Sequence, residues 1–392
     1  MESIFLWPLI IFLFLLFVRV LFVRNVTSRD IFSEILILTI SLLCGIFLGP
    51  KGMGLFTDHL NIQISPFLLF ALGFQGLYWG LFSSVRDIEI FNKNLRRFAA
   101  LHTFFIFTFM LAAGFNLLYF AGFQSWEVLI GGIVISLSLT QVSSASIRFL
   151  EKTQNYSYSF AVLFKAISGM SGLLTILLFG LLSPIGTTAS LPSYILLLLM
   201  EIAVSVIMGF LVSYGLIKLR SDPEDYLIWL LGVLFLNSGF AYTFGFNPLF
   251  MNLTTGTIIS YRCENKQKIR ETIKPLVRPV ILFLLLYLGA NINLHPFITP
   301  VIVPGALLIR YFLNQWSFRR FFTKAVIEAE RIRPVLPLLM PLGALSPAIG
   351  VYLIMVSSSA YSGVIAGSLA FAYIVSYTIL LFLMKNEDNQ WQ

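Results

Sequence analysis

The sequence predicts an all-α integral membrane protein of about thirteen transmembrane helices, and three observations carry that prediction. Thirteen apolar stretches run along the 392 residues, at approximately 4–23, 31–48, 63–83, 98–122, 127–149, 158–183, 193–218, 226–246, 248–261, 276–293, 298–316, 334–356 and 360–384. Most have the roughly 20 residues that cross a hydrocarbon core. All but three of the 26 Lys and Arg residues fall at the junctions after odd-numbered stretches. The composition is 58% apolar and 11% charged, and no soluble core absorbs so many apolar segments.

Taken in order, the junctions give the orientation. Arg19, Arg24 and Arg29 follow the first stretch, and Arg86, Lys93, Arg96 and Arg97 follow the third. Arg148 and Lys152 follow the fifth, Lys218 and Arg220 the seventh, and six basic residues from Arg262 to Arg278 the ninth. Arg319, Arg320, Lys324, Arg331 and Arg333 follow the eleventh, and Lys385 the last. The junctions after even-numbered stretches hold only Lys51, while Lys165 and Arg310 lie inside spans. Basic residues are retained on the cytoplasmic side, so the N-terminus is expected outside and the C-terminus inside. Losing or adding one span would break the alternation, which supports thirteen even though the ninth stretch is short and polar.

The same accounting excludes several functions. The net charge of +8 follows from the orientation signal and does not indicate nucleic acid. The first stretch lacks a basic start and a small-residue cleavage site, so it reads as a retained helix. The longest gaps between spans leave no room for a soluble domain, so a regulatory subunit, if one exists, is expected on a separate polypeptide. Cys44 and Cys263 are expected near opposite membrane faces, as free thiols. With His59, His102 and His295 scattered, no metal site is indicated. No phosphate-binding glycine loop and no nucleophile with a base at usable spacing appears, so neither a cofactor nor an enzymatic activity is expected. The 39 Phe residues read mainly as lipid-facing and helix-packing surface.

The spans also carry an internal pattern. Spans four to six begin inside and spans eleven to thirteen begin outside, as in inverted repeats whose broken helices form a site near the bilayer midplane. The middle member of each triplet is interrupted. Span five contains the polar run Thr140, Gln141, Val142, Ser143, Ser144, Ala145 and Ser146. Span twelve contains Pro341, Gly343, Ser346, Pro347 and Gly350, where the prolines remove backbone donors. Two interrupted helices in matching positions predict a crossed pair with exposed backbone groups. Small residues that merely permit close packing are the plainer reading of either span alone.

On these residues the chain resembles the monovalent cation:proton antiporter superfamily, in particular the bacterial sodium/proton and potassium/proton exchangers of the thirteen-helix type. Gly45 to Pro50 with Gly52 and Gly54 is similar to the glycine and proline element after an early helix. Gly131 to Glu151 resembles the unwound helix, and Pro248 to Ser260 with Gly256 the short helix. Pro275 to Leu294, with Phe283, Gly289 and Ala290, resembles the helix that follows, and Leu342 to Ile354 the second broken helix. The resemblance implies a core of helices at about 98–183 and 298–384 and a panel at about 4–83 and 193–293. It also implies an elevator-type mechanism, a homodimer and a bacterial inner membrane.

The family's exchange uses carboxylates, and here the pattern departs. The run Ala166 to Gly172 places the family's acidic pair at Ser168 and Gly169, and the matching position in span five is Gln141. No Asp or Glu lies between Lys152 and Glu201. Lys165 stands one helical turn before Ser168, and a charge at mid-membrane costs about 3 kcal/mol or more unless it snorkels, pairs or meets water. Arg310 matches the family's basic residue beside the crossing, where it balances the partial charge of helix ends. Glu201 lies outside the core triplets and is expected to pair at a helix or dimer interface, while His102 reads as a satisfied interfacial histidine. Three functions stay open. One is exchange of Na+ or K+ for H+, with ions held around Thr140, Gln141, Ser143, Ser144 and Ser168 and the proton on Lys165. The second is transport of an anion or neutral solute, and the third is a transport-inactive homologue acting as sensor or assembly partner.

Overall fold

The computed structural model describes residues 26–50, 52–82, 92–120, 122–123, 125–143, 146–147, 150, 158–182, 191–218, 223–263, 266–292, 298–321, 336, 338–356 and 360–388. Their regular elements are helical: α1 (Val26–Leu48), α2 (Asp58–Phe82), α3 (Lys93–Phe120), α4 (Ser125–Thr140), α5 (Tyr158–Leu182), α6 (Leu191–Lys218) and α7 (Pro223–Phe244). They continue with α8 (Pro248–Arg262), α9 (Lys266–Ile273), α10 (Val277–Ala290), α11 (Ile298–Phe321), α12 (Leu345–Val356) and α13 (Ala360–Asp388). Among the described residues, seven helices are long and apolar enough to cross a membrane, with shorter apolar helices at Ile35–Leu48, Val128–Thr140 and Leu345–Val356. Each apolar stretch from the second to the thirteenth coincides with a helix, and the first lies outside the described residues. The fold class is therefore the all-helical membrane architecture that the hydropathy pattern predicts.

One helix has no counterpart in that pattern. Lys266–Ile273 sits in the polar gap after α8, with Ile269 and Ile273 buried and Gln267, Lys268 and Glu271 exposed. The i, i+4 spacing of its two isoleucines puts them on one face, which is enough to fold a short amphipathic turn against a core.

The chain divides into two compact units. Unit 1 comprises residues 1–58, 94–171 and 285–392, and unit 2 comprises 59–93 and 172–284. In unit 1, α13 packs against α1, α4, α11 and α12, and α4 also contacts α11 and α12. α1 lies directly on the end of α10, where a Cβ at Gly45 would stand 2.0 Å from the Leu286 carbonyl oxygen and one at Gly289 would stand 2.3 Å from that of Leu42. Glycine at both positions is what lets the two backbones meet.

In unit 2, α8 packs on α6 and α7, and α9 packs on α7. Its core joins Phe74, Leu77 and Leu81 of α2 to Val212, Leu216, Leu230, Leu234, Ile259, Ile269 and Ile273. The guanidinium of Arg270 donates to the Leu81 carbonyl at the end of α2, with Nε at 2.8 Å, and lies 5.3 Å from the Phe82 ring centroid. That contact satisfies a carbonyl left open at a helix C-terminus. Leu196, Leu199, Ile207 and Leu211 of α6 are exposed, a surface suited to lipid.

Candidate functional site

Within unit 1 two helices stop short of a full span. α4 ends at Thr140 and gives way to a nonhelical segment at 141–143. Before α12, the chain makes a 3-10 turn around Leu338 and Leu339, passes through Met340 to Gly343 without helix, and resumes at Leu345. Pro341 lies in the unwound segment, whereas Pro347 sits in the first turn of α12, where its missing N–H would lack a helical partner anyway. The first proline belongs to the break, and the second is compatible with the restart.

The two unwound segments touch. The Ser143 N–H donates to the Pro341 carbonyl at 3.0 Å, and the Ser346 hydroxyl donates to the Ser138 carbonyl at 3.2 Å. A Cβ at Gly343 would lie 2.7 Å from the Gln141 Oε1, so the absence of a side chain there admits the glutamine. From α13, the Ser376 Oγ accepts the Leu342 N–H at 3.1 Å, and the Tyr377 hydroxyl meets the Ser143 hydroxyl at 2.6 Å. The Tyr373 hydroxyl continues this chain to Tyr377 at 3.4 Å.

Arg310 of α11 joins the two breaks. It is 1% exposed, its Nη1 donates to the Met340 carbonyl at 2.7 Å, and its Nη2 donates to the carbonyls of Gln141 at 2.5 Å and Leu339 at 2.8 Å. All three acceptors lie where a helical turn ends, so the guanidinium meets orphaned carbonyls carrying the partial negative charge of helix termini. A planar fork with several N–H donors reaches all three at once, which an ammonium group would not.

The other residues singled out from the sequence fall as follows. The Thr140 hydroxyl bonds back to the Ser136 carbonyl at 2.7 Å. The Ser168 hydroxyl of α5 donates to the Val142 carbonyl at 3.0 Å, which brings α5 to the unwound segment. Ser144 lies outside the described residues. Lys165 is exposed, although it precedes the buried Ser168 by only one turn. His102 is buried, with Nδ1 at 2.8 Å from the Ser317 hydroxyl and its ring stacked on Phe98. Tyr373, Ser376 and Tyr377 were not anticipated, and their signal was a cluster of hydroxyls at i, i+3 and i+4 in the final span.

The crossing also holds polar atoms that remain unsatisfied. Both side-chain amide atoms of Gln141, the Arg310 Nε and the Asn314 Nδ2 are buried without a hydrogen-bond partner. Thr140 and Ser168 use their hydroxyls as donors, which leaves oxygen lone pairs available. Among the described residues, no His, Cys, Asp and Glu gather into a metal-binding group.

An all-helical membrane unit built on two crossed, interrupted helices defines a class of architecture known from transport proteins. By structure the chain is similar to the sodium proton antiporter MjNhaP1 from Methanocaldococcus jannaschii, with a TM-score of 0.59 and 15% sequence identity over 89% of each chain. At that identity the likeness is one of fold. No family model matches the chain, and no curated protein matches it by sequence.

Proposed function

We propose that the chain is a secondary transporter that exchanges a monovalent cation, Na+ or K+, for H+ by alternating access. The observation that carries this reading is the crossing pinned by Arg310, where the Gln141 amide is buried without a partner. Leaving such a group unsatisfied costs about 1–3 kcal/mol, and a partly dehydrated cation on its oxygen would recover that cost. The ion ligands in this reading are the Gln141 amide oxygen and the hydroxyls of Thr140, Ser143, Ser144 and Ser168. They match the oxygen donors that hard cations prefer.

Arg310 serves as charge balance for the helix ends, since its donors are engaged by three carbonyls. The proton is assigned to Lys165. A proton carrier must reach water, and the exposure of Lys165 suits that task better than the buried Arg310. Loss of its proton as the cation arrives would keep the exchange electroneutral. In the full scheme a core at about 98–183 and 298–384 moves against a panel at about 4–83 and 193–293. The panel makes the homodimer, and the protein lies in a bacterial inner membrane with its N-terminus outside and its C-terminus inside.

Proteoliposomes loaded with a pH-sensitive dye test the reading. With an imposed proton gradient, addition of Na+ or K+ should collapse the gradient in the wild type but not in Lys165→Ala. A silent wild type with both cations sinks cation exchange. Collapse driven by Cl− would instead assign anion transport, and no response to any salt would leave a transport-inactive homologue.

A further inference from the structure

We propose that Glu201 is a proton-binding site inside unit 2, its carboxylate taking one proton from water to become the neutral acid and returning it in the reverse step. The inference is independent of the exchange reading, because it concerns a different unit and has its own readout.

Glu201 lies well inside α6 and is 0% exposed. Leu197, Val204 and Met208 share its face of the helix, at i−4, i+3 and i+7. Those three belong to an apolar cluster with Ala241, Phe246 and Met251. An ionised carboxylate in such surroundings is disfavoured unless something compensates it. Compensation comes from α8. The Glu201 Oε1 accepts the Asn247 N–H at 2.8 Å, and Asn247 is the N-cap of α8, its own side chain accepting the Leu249 N–H at 2.9 Å. A helix N-terminus favours negative charge, so it works against the apolar cluster.

The second feature is the Asn247 Nδ2, which is buried without a partner on a residue that is 0% exposed. It is a donor that an ionised carboxylate beside it could engage, whereas the neutral acid still offers its carbonyl oxygen to the Asn247 N–H. Each protonation state therefore has hydrogen bonding suited to it. On the helices involved, the described titratable and charged groups are Tyr214 on α6, Tyr226 and Tyr242 on α7, and Tyr261 and Arg262 on α8. None of them belongs to the apolar cluster, and Arg262 is at the far end of α8, 5.1 Å from the Phe210 ring centroid. No opposite charge among them holds the carboxylate permanently ionised.

Infrared difference spectroscopy of the full chain in liposomes tests this directly. The wild type should show one carbonyl band of a protonated carboxylic acid that moves in D2O, disappears as pH is raised, and is missing in Glu201→Gln. Identical spectra for wild type and variant across the titration would overturn the proposal and leave Glu201 as a structural cap. Should the variant fail to fold, the wild type can be treated with a hydrophobic carbodiimide, which adds to protonated carboxyls. An adduct on Glu201 that declines as pH rises supports the site, and an unmodified Glu201 overturns it.

Discussion

In unit 1 two helices stop inside the membrane and Arg310 takes up the carbonyls they leave, whereas in unit 2 α2, α7 and α8 run unbroken and bury polar side chains against one another. There the Asn237 Nδ2 donates to the Asn252 Oδ1 and the Thr255 Oγ1, each at 3.1 Å, and the Ser238 hydroxyl reaches the Leu69 carbonyl at 3.2 Å. Both units obey the rule that a backbone in lipid must have its polar groups satisfied within the protein. Unit 2 leaves the task to the helices themselves and uses glycine to bring backbones together. Unit 1 delegates it to one cation, so its unwound segments can present oxygen atoms to something else. The comparison teaches where each unit is vulnerable: unit 1 at a single side chain, unit 2 along a packed seam.

The largest effect should come from removing the clamp. Arg310→Met leaves three buried carbonyls without their donor and should lower stability by about 3–5 kcal/mol, read as a fall in thermal midpoint in nanodiscs. Arg310→Lys should recover only part of that loss, because an ammonium group lacks the planar fork. A wild-type midpoint in Arg310→Met would mean that the breaks are held by other contacts.

In unit 2 the corresponding test is steric. A Cβ at Gly76 would stand 2.1 Å from the Leu249 carbonyl, so Gly76→Ala should cost about 1–3 kcal/mol. Gly239 on α7 has nothing within 4 Å of its Cβ direction, and Gly239→Ala should be neutral or stabilising by about 0.5–1 kcal/mol. Equal destabilisation at the two glycines would remove the packed seam from the comparison.

A smaller effect separates the clamp from its surroundings. Tyr377→Phe removes the hydroxyl that meets Ser143 and should cost about 1 kcal/mol in the same unfolding measurement. The least costly test is thiol labelling. Cys44 is exposed and Cys263 is buried, with burial pushing the Cys263 thiol up to about 11. At neutral pH a maleimide should modify Cys44 first, and Cys263 should react at a comparable rate only after unfolding. Fast modification of native Cys263 would contradict its burial in the unit 2 core.

How much of this could be read beforehand depended on how local each signal was. The break after Thr140 and the one at Pro341 and Gly343 were legible, since polar runs, prolines and glycines act on the backbone where they stand. α9 was missed because its basic residues read as a polar junction, although Ile269 and Ile273 carried the helical spacing. Lys165 and Ser168 were read as sharing one face, yet Ser168 is buried on the Val142 carbonyl while Lys165 is exposed. A turn of helix spans enough arc for two such residues to part company at the edge of a packed surface. Tyr377 was not singled out, since a tyrosine in an apolar span looks like packing until its partner is known.

By itself the sequence determined the membrane class, the number and order of spans, the asymmetry of basic residues between junctions, and where two helices would break. Lipid judges each segment by its own hydropathy, and a helix breaker acts within its own turn. Only the tertiary structure decided which donor meets which orphaned carbonyl. Arg310 and Gln141 are 169 positions apart and Ser143 and Tyr377 are 234 apart. Such pairs exist only once helix packing has brought distant spans together, and no local pattern in either partner encodes that meeting.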